Sequence, residues 1–192
     1  IDIQVLGIGQ CGNIAMNEPG TQSNSYTRLV IMDNNSRMDV KSLFGNAEQV
    51  PNCAITLGIN TILQAKEVIL MAFGQHKAGI VKQAIEDVAS ATCPAWYLQL
   101  HKKASFVLDL DAANKLTRIN HPWKVTNCEW TDQLVRRAVV WLCEQTQKPI
   151  LKLTNKDYND FGLSELITKF ESAYNCNIKV FNDLQHTITG WP

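Results

Sequence analysis

The chain has 192 residues, a length for one or two domains at about 100–200 residues each. Its 45% apolar and 19% charged content fits a globular fold and excludes a disordered chain. Eighteen basic and eighteen acidic residues cancel, so no broad cationic field draws it to nucleic acid or anionic lipid. The longest apolar run, 68–73, is far short of the ~20 residues of a membrane span. Neither a membrane protein nor a secreted one with a leader is expected. Six cysteines (Cys11, Cys53, Cys93, Cys128, Cys143, Cys176) contain no C-x-x-C pair, so reduced thiols in a cytoplasm are expected rather than zinc or a disulfide framework.

Residues 1–6 read as a buried strand, and a chain opening inside a strand looks like a piece of something longer. The strand runs into Gly7-Ile8-Gly9-Gln10-Cys11-Gly12, a glycine-dense turn; a short helix from Asn13 is broken by Pro19-Gly20. Residues 27–32 form a second strand, and Asn34 or Asn35 caps a helix reaching Phe44. A strand over 53–57 and a helical stretch over 58–65 follow. Residues 67–73 (EVILMAF) are continuously apolar after Glu67, the mark of a strand buried on both faces. Residues 75–89 carry Ala78, Val81, Ile85 and Val88 at helical spacing. A strand over 105–108 and a helix over 109–116 complete the first part.

This alternation predicts an α/β fold, doubly wound and largely parallel, Rossmann-like in plan. After a seam at 118–125, the rhythm predicts a helix over 131–146, a strand over 150–153, a helix over 163–174 and a strand over 177–181. Two units are therefore expected: 1–117, and an α/β extension over 118–192 packed on it.

Gly7-x-Gly9-x-x-Gly12 after a strand, with Asp33 ending the next one, matches the dinucleotide fingerprint. A pyrophosphate site needs a sustained helix behind it, and Pro19-Gly20 ends this one within about two turns. The tubulin-like run Gly9-Gln10-Cys11-Gly12-Asn13 lacks the later phosphate loop of tubulins, so neither nucleotide reading holds.

Residues 6–19, LGIGQCGNIAMNEP, resemble the active-site segment of the glucosamine-6-phosphate deaminase (isomerase) family. The likeness continues through Thr27-Arg28, Gln49-Val50-Pro51, Ala54-Ile55-Thr56-Leu57-Gly58 with Thr61, Glu67-Val68-Ile69-Leu70, Gly74-Gln75-His76-Lys77-Ala78, Leu98-Gln99-Leu100-His101 and the Asp109 region. It covers roughly residues 1–117, the C-terminal half of such a domain. Related 6-phosphogluconolactonases share the glycines but end the segment in Phe-Pro-Gly, so Asn17-Glu18-Pro19 favours the deaminase branch.

The resemblance implies a sugar-phosphate isomerase fold, conversion of glucosamine 6-phosphate to fructose 6-phosphate and ammonia, and no cofactor. In the family a His opens the sugar ring with an Asp and a Glu. A His suits proton exchange because its ordinary pKa is about 6.5. At the Asp position this chain has Cys11, at the His position Asn13, and Glu18 survives. An amide is neither acid nor base at neutral pH, so the catalytic trio Cys11, Asn13 and Glu18 implies a retained cradle with weakened chemistry. Cys11 reads either as a thiol ionised at a helix N-terminus or as a small packed group. Glu18 reads as a proton carrier or as a carboxylate paired in the turn.

Gly9, Gly12, Asn17 and Lys77 match substrate-binding positions, Lys77 that of the phosphate-binding lysine. The family's second phosphate contact, an Arg, falls near Ser42, so that contact is missing here or is taken by Lys41 or Arg37. Arg28 matches an arginine that binds an allosteric phosphate in hexameric members, although its companion lysine is Val30 here.

Residues 118–192 resemble a segment of long bacterial relatives in which a de-N-acetylase-like metal domain follows, but the metal motif of that domain is absent. Trp123, Trp130, Trp141, Trp191 and Tyr174 suggest a sugar platform, with Trp141 read as core. His186 has no second ligand in spacing, so no metal is expected. The expected ligand is a small sugar phosphate, and homo-oligomerisation is left open. The alternatives are a catalytically inactive sugar-phosphate-binding or regulatory module, or another isomerase or lactonase reaction run by Glu18 and Cys11.

Overall fold

A computed structural model describes residues 1–88, 90 and 92–189. They form two compact units, Ile1–Asn120 and His121–Pro192. In chain order the first unit contains strand β1 (Ile3–Leu6), β2 (Arg28–Ile31), helix α1 (Asn34–Phe44), β3 (Cys53–Thr56), α2 (Ile59–Leu63), β4 (Glu67–Ala72), α3 (Ala78–Glu86), β5 (Ala104–Leu108), α4 (Leu110–Ala113) and α5 (Thr117–Asn120).

Three strands make a parallel sheet in the order β1-β4-β5, with Val5 opposite Ile69 and Met71 opposite Val107. Parallel neighbours need crossovers, and the intervening helices provide them. β2 and β3 stand apart as an antiparallel ribbon, with Arg28 opposite Thr56. The fold is α/β with a parallel sheet, as the alternation predicts.

Strand β4 departs from its reading as buried on both faces: its residues alternate. Val68, Leu70 and Ala72 are buried and pack with Leu6, Ile59, Ile62, Val81, Ala84 and Leu98. Ile3, Val5, Met71 and Val107 lie on the other face, 57%, 56%, 39% and 44% exposed. A period of two puts successive side chains on opposite faces even in an unbroken apolar run. In α3 the buried positions are Ala78, Val81 and Ala84; Val88 is exposed and lies beyond the helix, and Ala89 falls outside the described residues.

The second unit corrects the α/β expectation for 118–192, because among its described residues every element is helical. It holds α6 (Asp132–Thr146), α7 (Asn155–Asp160), α8 (Ser164–Phe170) and α9 (Ala173–Thr189). The strand expected over 150–153 is a single 3-10 turn, Ile150–Lys152, following Pro149. The strand expected over 177–181 is part of α9. Ala173, Cys176, Asn177 and Val180 are its buried positions, spaced by three, one and three, which is helical and not alternating. The helix expected over 163–174 stops at Phe170, where Glu171 turns left-handed at φ 67.

Thr131 caps α6, accepting from the Leu134 amide, and Thr154 with Asp157 forms a capping box on α7. The core gathers Val135, Ala138, Leu142, Tyr158, Leu163 and Leu166. No described helix is long and apolar enough to cross a membrane.

Candidate functional site

The loop after β1 contains turns and no helix: the short helix expected from Asn13 is absent, and with it the helix-terminal environment considered for Cys11. Gly9 N–H donates to the Asn13 carbonyl at 2.9 Å, and Gly12 N–H to the Gly9 carbonyl at 3.1 Å. Two glycines are required here. A Cβ on Gly9 would fall 1.8 Å from Asn13 Oδ1, so the Asn13 side chain lies over the bare backbone. Gly12 has φ +77, and its Cβ would meet Cys93 Sγ at 2.5 Å. Ala15 holds φ 50, a left-handed conformation uncommon for a residue with a side chain.

Asn17 pins this loop to the ribbon. Fully buried, it donates from Nδ2 to the carbonyls of Ile14 (3.0 Å) and Leu57 (2.8 Å) and accepts at Oδ1 from Arg28 Nη1 (3.0 Å). The Met16 amide adds a bond to Thr56 Oγ1 at 3.0 Å. Arg28 also donates to the Tyr26 carbonyl at 3.3 Å and to Thr21 Oγ1 at 3.5 Å. Both residues are engaged in holding the loop.

A cleft of about 440 Å³ opens against the loop, a size that suits a small ligand. The loop lines it with Gly7, Ile8, Gly9, Gln10, Asn13, Ala15 and Met16; helix α1 contributes Ser36, Asp39 and Val40; the segment after β4 contributes His76 and Lys77. Lys77 ends a 3-10 turn, Gln75–Lys77, whose entry at Gly74 has φ 86. That turn is tied down by Asp109, whose carboxylate accepts from the Gly74 amide at 2.9 and 3.0 Å and from the Ala112 amide of α4 at 2.8 Å. Lys77 Nζ donates to the Ile8 carbonyl at 2.8 Å. An ammonium has three N–H groups, so this bond fixes the side chain at the cleft wall and leaves donors for an anion.

Behind the cleft wall sits Glu18. Its Oε1 accepts from Ser36 Oγ, while Ser36 Oγ accepts from Asn13 Nδ2 at 3.3 Å. Glu18 Oε2 is buried and has no hydrogen-bond partner among the described residues. Burial raises the Glu18 carboxyl above the usual carboxylate range, the bond from Ser36 opposes the shift, and the charges of Asp33 and Asp39 reinforce it.

The structure thus brings Gly9, Asn13 and Lys77 to one cleft, with Glu18 joined to it through Ser36. Cys11 and Gly12 do not line it; Cys11 is half-buried beside Asn35 Nδ2 at 3.7 Å. Arg37 and Lys41 do not line it either; Arg37 Nη2 donates to the Val50 carbonyl at 3.3 Å. The cap of α1 is Asp33 rather than Asn34 or Asn35: its side chain accepts from the Ser36 amide at 2.7 Å. Ser36, Asp39 and His76 are cleft residues that the sequence reading did not single out. The capping pattern Asp33-x-x-Ser36 was the available signal, since it fixes where the first turn of α1 points.

In the second unit Trp123, Trp130, Trp141 and Phe161 pack on one another at 5.7–6.0 Å between ring centroids, and Trp141 is buried. Trp191 lies outside the described residues, and Tyr174 is exposed apart from this cluster. Among the described residues no His, Cys, Asp and Glu cluster could hold a metal.

No family model matches the chain. Over its whole length it is 59% identical to a glucosamine-6-phosphate deaminase-like protein of Bacteroides thetaiotaomicron, covering 29% of that protein. It is 44% identical over 116 residues to a glucosamine-6-phosphate deaminase of Listeria welshimeri, which is 60% of this chain and 50% of the relative. A solved monomeric glucosamine-6-phosphate deaminase, described as a missing link of the NagB superfamily, superposes with a TM-score of 0.58 at 38% identity. That match covers 59% of this chain and 47% of the other. The chain spans half or less of the length of these relatives. In sequence and in fold, the chain is thus similar to glucosamine-6-phosphate deaminases and to a deaminase-like protein.

Proposed function

We propose that the cleft binds a hexosamine 6-phosphate, with the phosphate at Lys77 and the sugar ring over Asn13 and Ser36. In the complete protein this serves a glucosamine-6-phosphate deaminase-like reaction, slowed by Cys11 and Asn13. One observation carries the reading: a fixed ammonium, a polar amide and a hydroxyl joined to a buried carboxylate share one cleft wall. Lys77 supplies positive charge for a phosphate. Asn13 orients without exchanging protons, and Glu18, reached through Ser36, can give and take one, as can the cleft residues Asp39 and His76. Arg28, engaged with Asn17, serves the loop rather than an effector phosphate. The protein works in the cytoplasm, where its six cysteines stay reduced.

Calorimetry of the full-length protein with glucosamine 6-phosphate, alongside an assay of fructose 6-phosphate and ammonia, tests this. Lys77→Ala is expected to weaken binding about 10- to 100-fold, the loss of one charge-assisted contact of roughly 1.5–3 kcal/mol. Unchanged binding in Lys77→Ala would refute the phosphate position.

A further inference from the structure

Glu18 is absent from the cleft lining, whereas Ser36 and Asn13 are in it. Ser36 Oγ touches both, donating to Glu18 Oε1 and accepting from Asn13 Nδ2. The helix does not need this hydroxyl, because the cap of α1 uses the Ser36 backbone N–H, which donates to Asp33 Oδ1. We infer that Ser36 is the relay by which a proton passes between Glu18 and the ring oxygen of a sugar phosphate in the cleft. This rests on the reading of the cleft as a hexosamine-phosphate site.

A cyclic sugar phosphate is a hemiacetal, and opening it puts a proton on the ring oxygen. The protonated Glu18 carboxyl donates to Ser36 Oγ while the Ser36 hydroxyl proton passes to the ring oxygen. The C1–ring-oxygen bond breaks and its electron pair takes that proton. The electrons of the C1 hydroxyl O–H bond form the carbonyl, and a water takes the proton released. Glu18 ends as a carboxylate, Ser36 is unchanged, and Glu18 is reprotonated from water.

The bonding capacity of serine accommodates this. Its two lone pairs accept from Asn13 Nδ2 and from protonated Glu18, which frees its own proton for the ligand. Asn13 thereby becomes the group that orients Ser36. Burial and the carboxylates of Asp33 and Asp39, the charged groups facing Glu18 from the start and the second turn of α1, favour the proton-bound form that the first hop requires.

The full-length protein is given isotope-labelled glucosamine 6-phosphate, and anomer interconversion is followed by NMR exchange beside calorimetric affinity. The wild type should accelerate interconversion, with a rate that falls as pH rises through the Glu18 titration. Ser36→Ala should lose about 100-fold in that rate and its pH dependence, against a loss of affinity of no more than about tenfold, the worth of one neutral hydrogen bond. Ser36→Thr, which keeps a hydroxyl, should return to within tenfold. If Ser36→Ala does not fold, Ser36→Gly, which likewise removes the hydroxyl, carries the same expectation. Binding without acceleration, or acceleration indifferent to Ser36→Ala, overturns the relay alone. Absence of glucosamine 6-phosphate binding overturns the site reading and the relay with it.

Discussion

Asn17 in the first unit and Asn177 in the second have the same chemistry and different surroundings. Both are buried; both donate from Nδ2 to backbone carbonyls, Asn17 to Ile14 and Leu57, Asn177 to Leu153. Both accept at Oδ1, one from Arg28 and the other from Tyr158 Oη at 2.7 Å. Asn17 sits where the chain has no ladder or helix, so its amide stands in for the missing backbone bonds. Asn177 sits in α9 among Tyr158, Leu163, Leu166 and Cys176, where helical bonds and apolar packing already hold the chain. A cleft wall has to remain irregular to present groups to a ligand, and a buried amide is what holds it so. In the helical unit the same residue only sets register.

The largest effect should follow from Asn17→Ala, which removes two buried bonds to carbonyls and the bond from Arg28. It should cost about 3–5 kcal/mol, read as a fall in urea midpoint at unchanged m value, and abolish sugar-phosphate binding. A cost below about 1 kcal/mol would break the comparison. Tyr158→Phe keeps the ring and leaves Asn177 Oδ1 without its donor, so about 1–2 kcal/mol is expected by the same measurement. A cost equal to that of Asn17→Ala would make the two amides equivalent. The smallest effect concerns Asp157. Its carboxyl is held at about 2 against an ordinary 3.8, chiefly by the hydrogen bond from Lys148 and then by those from Thr154. A lowered folded pKa gives stability that is fully present above pH 4 and is lost as pH falls towards 2. Asp157→Asn should remove about 1 kcal/mol at pH 6, given the solvent around Lys148, and only a small part of that at pH 2, where the carboxyl is half protonated. Thermal unfolding at the two pH values would show the difference.

The strands of the first unit were legible because turn residues punctuate short apolar runs, as at Gly7 after β1 and Gly58 after β3. The number of covered faces was not: β4 is apolar on both sides, and only three-dimensional packing distinguishes Leu70 from Met71. In the second unit the rhythm of the first suggested a strand over 177–181, while the spacing of Ala173, Cys176, Asn177 and Val180 carried the helical answer. Short apolar runs are ambiguous until the window widens beyond them. At the site, Gly9, Asn13 and Lys77 could be read from local motifs. For Ser36 the capping pattern gives only its place in the first turn of α1; its contact with Asn13 spans 23 residues and joins two elements, which no local motif carries.

The stacking of the Asn13 amide on bare backbone makes position 9 a steric gatekeeper. With only 1.8 Å between Asn13 Oδ1 and any Cβ at position 9, even a methyl group there would push the amide aside. The displaced amide would no longer donate to Ser36 Oγ, so a change in the loop backbone would be felt on helix α1.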